Sequence, residues 1–309
     1  MNNIPHEIDS IALFGSVARR DQDSLSDRDI LLVSDDASCL ITSGQMLKRN
    51  HWANANYSWQ QLNSFAKHGG LFLQHLKQEA IIIKDKDNRL TQFLSEFTPR
   101  PDYTNEIDEA IDFLGLLSAM PDSESGKLWA LDVLMVGFRC LAIATLANRA
   151  VYHFSLSDIL TTLKTMGFIT SSERDNLMLL RKYKRAYRSG YFDQAPKWDA
   201  VYSSITAVDH GFKLGLDIQK YQPPIVIERV LADNHHRNQN WYFESRKLES
   251  ALISLSVDKN QLETQNNRQD LLNKIKAPSE NSHYFKYDYN EIRNRLVILC
   301  KESKDKILV

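Results

Sequence analysis

The sequence predicts an α+β unit followed by an all-helical one. Three observations carry that expectation. Short apolar, β-branched runs recur within the first hundred of 309 residues, prolines punctuate the chain at Thr98-Pro99-Arg100-Pro101, and beyond them long helical patterns replace the strand-like runs. A chain of this length suits two packed units, and 43% hydrophobic residues suffice for ordinary cores, which excludes a wholly disordered protein.

In chain order, residues 11–14 form an apolar run that ends in Gly15-Ser16, and residues 30–33 form a second one. Both read as buried strands. Between them, residues 17–20 make a helical turn and residues 21–26 are polar and turn-like. A helix over 40–49, a weak strand over 52–59, a helix over 60–67 and a stronger strand over 80–83 complete the first unit, with a polar turn over 84–88. His75 falls in a helical pattern and reads as a core-edge histidine.

The helical part covers 105–119, 127–149, 156–165 and 172–188, the last opened by Ser172 three residues before Asp175, a capping spacing. Four helices make a bundle-sized unit. After Tyr221 the chain turns polar and rich in Asn and Gln, with further helical stretches over 244–255 and 290–301. The expected organisation is therefore residues 1–100, 101–222 and a linker with a C-terminal helical extension over 223–309.

Lys and Arg number 38 against 39 Asp and Glu, a formal net charge of -1, so any attraction for a polyanion must be local. Three cysteines without zinc-type spacing read as reduced thiols. The amino terminus lacks the pattern of a signal peptide, and the most apolar segment, 133–147, is short and interrupted by Arg139. A cytoplasmic protein without membrane insertion is expected.

The chemistry concentrates in two short strings. Gly15-Ser16 follows a strand and opens a helix, where unpaired N–H groups favour an anion such as a triphosphate. Ser16 adds a hydroxyl donor, and Arg19, one turn later, reaches the same phosphates or braces an aspartate. In Ser26-Asp27-Arg28-Asp29, the residues two apart point to one side of a strand, so Asp27 and Asp29 present their carboxylates together. Two adjacent anions are costly unless a cation lies between them, and Mg2+ takes one or two carboxylates plus phosphate oxygens and water.

The string Gly15-Ser16-Val17-Ala18-Arg19-Arg20-Asp21 followed by Ser26-Asp27-Arg28-Asp29-Ile30-Leu31-Leu32-Val33 resembles the signature of the bacterial minimal nucleotidyltransferase branch of the polymerase-β superfamily. The resemblance covers about the first third of the chain. It implies a palm-like mixed sheet flanked by helices, Asp27 and Asp29 as catalytic ligands of Mg2+ or Mn2+, and Gly15, Ser16, Arg19 and Ser26 around the nucleotide. It also implies transfer of a nucleoside monophosphate from a nucleoside triphosphate donor, with release of pyrophosphate, to a protein or oligonucleotide acceptor, as in phage-defence systems. Active relatives usually carry a third carboxylate on the next strand, where this chain has Asn54 and Asn56. Either Asp85 or Asp87 substitutes, or two carboxylates suffice, or the domain binds nucleotide as an antitoxin-like or regulatory partner without turnover.

Farther on, Arg181, Lys184, Arg185 and Arg188 align on one side of a helix, with Tyr183 and Tyr187 on a neighbouring side. Cations with interleaved aromatics suit a phosphate-rich ligand, which makes these four nucleotide-binding candidates; a solvated helix end is the competing reading. His235-His236 lacks a third metal ligand nearby, and Tyr284, Tyr287 and Tyr289 are candidate nucleotide-accepting hydroxyls.

Overall fold

The structure is a computed structural model that describes residues 7–189, 195–232 and 241–254, and beyond them only Asn294 and Ile298. His235, His236 and the three C-terminal tyrosines lie outside the described residues. The described residues form two compact units, the first taking in those up to Ile107 together with Ala142–Ile159, the second Asp108–Leu141 and those from Leu160 on. The division falls shortly after the proline pair, and the chain later returns to the first unit.

The first unit is α+β. Its elements are β1 (Ser10–Phe14), α1 (Gly15–Arg19), β2 (Asp29–Val33), α2 (Ala37–Arg49), β3 (Ala53–Tyr57), α3 (Trp59–Lys67), α4 (Leu71–Glu79), β4 (Ile81–Asp85) and α5 (Arg89–Glu96). The strands form one mixed sheet in the order β3-β2-β1-β4, with β1 antiparallel to β2 and β4, and β2 parallel to β3.

Strand alternation gives the sheet two apolar faces. One carries Ala12, Phe14, Leu31, Val33 and Tyr57 against Trp59, Leu62, Leu73, Leu76, Leu90 and Leu94 of α3, α4 and α5. The other carries Ile11, Ile30 and Leu32 against Leu40 and Leu47 of α2. Local signals start the helices: Asp36 accepts the amides of Ser38 and Cys39 ahead of α2, and Ser58 with Gln61 forms a reciprocal capping box on α3.

After α6 (Thr104–Leu114) come β5 (Met120–Pro121), α7 (Glu124–Ala147), α8 (Leu156–Thr165), α9 (Ser171–Met178), α10 (Leu180–Ser189), α11 (Trp198–Phe212), β6 (Lys220–Tyr221), α12 (Pro223–Ala232) and α13 (Trp241–Ser254). The single helix expected over 172–188 is two, α9 and α10, separated at Leu179. Its capping box is made by Thr170 and Glu173 rather than by Ser172 and Asp175, because Thr170 Oγ1 accepts the Glu173 amide while Glu173 accepts the Thr170 amide. Among the described residues α7 alone is long and apolar enough to cross a membrane, and it is mostly buried inside the protein.

Residues 245–254 of α13 are buried throughout. Arg246 on this helix meets Asp132 of α7 at 2.7 Å and Glu249 at 2.5 Å. Arg188 of α10 meets the same Asp132 at 3.1 Å, and the Tyr187 hydroxyl donates to Glu249. Two cations and two carboxylates thus neutralise one another in the second unit, so this part of the expected extension is core.

Candidate functional site at the Gly15 bend

The end of β1 and the start of β2 lie side by side, Phe14 opposite Asp29. Gly15 bends the chain between them with φ +66, in the left-handed region that favours glycine. A Cβ at this position would stand 2.6 Å from Asp29 Oδ2, so only a residue without a side chain lets the carboxylate pack against the bend. The two expected site strings are brought together here.

The other expected residues take distinct places. Ser16 Oγ donates to the backbone oxygen of Asp27 at 3.2 Å, which ties the start of α1 to the loop ahead of β2. Asp27 is exposed and lies two residues before the strand. Ser26 closes a local turn: its Oγ donates to Asp23 Oδ1 at 2.8 Å and accepts the Asp23 amide at 3.0 Å. α1 is a single turn of five residues whose start no side chain caps.

Arg19 braces carboxylates. Its Nε donates to Asp21 at 3.0 Å and its Nη1 to Glu79, while His75 Nε2 lies 2.9 Å from the same Glu79 oxygen. Burial alone would raise the Glu79 carboxyl, but the His75 hydrogen bond and the charges of His75 and Arg19 hold it below the usual glutamate range. His75 stacks on Phe154 with ring centroids 4.4 Å apart, and Phe14 meets it edge-on at 5.6 Å.

The search for a third carboxylate needs two corrections. In the parallel register Asp29 pairs with Ala53 and Leu31 with Ala55, whereas Asn54 and Asn56 pair with Ile30 and Leu32 on the α2 face. Asn56 Nδ2 donates to Leu40 O at 3.2 Å, and both asparagines crowd Gly44 of α2. The β3 residues on the face of Asp29 are therefore Ala53, Ala55 and Tyr57, none of them a carboxylate. Asp85 pairs with Ser10, four residues and roughly 13 Å along β1 from Phe14, the partner of Asp29, and β4 lies two strands across the sheet from β2. Its carboxylate is taken up by the amides of Leu90 and Thr91 and the hydroxyls of Thr91 and Ser10. Asp87 follows it and is farther still along the chain from the bend.

The proposed cationic side of α10 also changes. Arg188 turns inward to Asp132 and Tyr242, and Tyr187 is buried against Glu249, so neither belongs to an outward ligand stripe. Arg185 is exposed, and Arg181 and Lys184 are half-buried. All four stand on a helix of the second unit.

Sequence reasoning missed Glu79 in this site. Its place follows from strand pairing: β4 runs antiparallel to β1, with Ile81 opposite Leu13, so the residues just before β4 lie beside those just after β1. The i,i+4 spacing of His75 and Glu79 puts both on one side of α4.

No protein-family model matches the chain, and no curated protein matches it. Among the described residues no group of three or more His, Cys, Asp or Glu is placed to hold a metal ion. Asp27 and Asp29 are the residues that would hold Mg2+ or Mn2+, and two carboxylates would need phosphate oxygens and water to complete the shell that Mg2+ prefers.

Proposed function

We propose that the chain is a metal-dependent nucleotidyltransferase that moves a nucleoside monophosphate from a nucleoside triphosphate to an acceptor, with pyrophosphate as the other product. The observation that carries this reading is the close packing of the Asp29 carboxylate on the positive-φ Gly15 bend, with Ser16 bonded to Asp27 across the same gap. The mixed four-stranded sheet, flanked by helices on both faces, is compatible with a palm.

In this reading the backbone of the Gly15-Ser16 bend approaches the phosphates, and the Ser16 hydroxyl, whose one proton goes to Asp27 O, orients the Asp27 segment. Asp27 and Asp29 would hold Mg2+ or Mn2+, which supplies charge neutralisation at the attacking and leaving oxygens. Arg19 offers its remaining N–H donors to the phosphates.

A second reading has its own observation. Ala53 pairs with Asp29 and Ala55 with Leu31, so β3 offers Asp29 no second carboxylate, and a nucleotide-binding antitoxin-like or regulatory protein without turnover fits the site as well.

Incubation with labelled ATP or dATP and Mg2+ or Mn2+ tests the first reading. Label transfer or pyrophosphate release is expected, and its loss in the double variant Asp27→Ala, Asp29→Ala. Donor binding without transfer under every combination would favour the second reading, and transfer that survives the double variant would refute the site.

A further inference from the structure

Helix α4 grips the bend at both of its ends. Phe14, the residue before Gly15, packs its ring on His75 and Phe72, and Arg19, the last residue of α1, is held by Glu79. Arginine carries five N–H donors in a planar fork. Asp21 takes Nε and Glu79 takes Nη1, so Nη2 has no partner among the described residues. The guanidinium is only partly exposed, at 22%, and the Glu79 carboxylate is more buried, at 13%.

Glu79 is itself fixed from behind. The His75 ring that touches it is clamped between the face of Phe154 and the edge of Phe14. A side chain as long as arginine samples many rotamers when free, and orienting it costs entropy at the moment a ligand binds. The Phe154, His75 and Glu79 chain removes that cost in advance.

We infer that Glu79 is a positioning residue, held by His75, which orients Arg19 so that its free Nη2 edge meets the phosphates of the donor nucleotide. The inference rests on the nucleotidyltransferase reading of the same bend. It does not make Glu79 a metal ligand, because its carboxylate is already committed to Arg19 and His75.

The competing role, simple neutralisation of Arg19, has the opposite sign. Removing a carboxylate near an anion site would then tighten donor binding, whereas loss of positioning weakens it. The test compares Glu79→Gln, Arg19→Gln and the double variant, reading the dissociation constant for Mg-ATP and the thermal midpoint of each. Positioning predicts that Glu79→Gln weakens binding about tenfold, the scale of one charge-assisted hydrogen bond. It also predicts that the double variant binds no worse than Arg19→Gln alone, since coupled residues are not additive. His75→Gln, which keeps an N–H donor for Glu79, should retain more binding than His75→Leu. Tighter binding in Glu79→Gln, or losses that add in the double variant, would overturn the inference and leave the wider reading intact. Wild-type protein that binds neither Mg-ATP nor Mn-ATP would remove both together.

Discussion

Gly15 combines two demands that separately are ordinary: a left-handed backbone and a carboxylate in contact with the bare α-carbon. Alanine meets neither. Gly15→Ala is expected to cost about 1–3 kcal/mol of stability through the strained backbone. It should also displace Asp29, so under the nucleotidyltransferase proposal donor binding is lost even at temperatures where the variant remains folded; chemical denaturation and nucleotide titration check the two halves. The approach of the Gly15 bend to Asp29 was legible because both lie in one short strand-turn-strand stretch. Glu79 was not, since its place beside Arg19 depends on which strands pair, and pairing between residues far apart in the chain leaves no mark in either segment alone. Arg188 was misread for a related reason: helical spacing assigns it to the side of Arg181, but the buried carboxylate of Asp132 decides where the guanidinium goes.

At the scale of elements, α5 depends on a residue outside it. Asp85, the last residue of β4, accepts the amides of Leu90 and Thr91 at the start of the helix, where backbone donors lack partners. Burial alone would raise its carboxyl, but these amides and the Thr91 and Ser10 hydroxyls hold it below the usual aspartate range. A carboxylate whose pKa is depressed in the fold stabilises fully above its unfolded value and loses that contribution as pH falls through the folded one. Asp85→Asn should therefore be about 1 kcal/mol less stable near neutral pH. The gap between variant and wild type should close below about pH 4, which urea melts across pH can follow. The strands with apolar runs were readable from residue type, whereas β3 was weak because its α2 face carries asparagines. Its register, and with it the true neighbours of Asp29, follows from pairing with β2. The break at Leu179 was hidden by a helical pattern that runs on through it.

For the molecule as a whole, the second unit is organised around a neutral set of buried charges. Asp132 is wholly buried and faces both Arg188 and Arg246. Asp132→Ala leaves two guanidinium groups without their shared anion, and removal of one partner from such a set typically costs about 3–5 kcal/mol. A large fall in the denaturation midpoint is expected, and a fall no greater than that of an exposed aspartate would show the network to be incidental. The division into a sheet-bearing part and a helical part was readable from residue patterns, but the return of residues 142–159 to the first unit was not, because a helix as uniform as α7 gives no sign of changing company along its length. That return bears on any attempt to excise the sheet. Asn148 accepts the Tyr103 amide and Phe154 supports His75, so a fragment cut after Ile107 forfeits the props of its own candidate site. The two halves were never modular cassettes: recombining either with a foreign companion requires grafting the loan of eighteen residues as well.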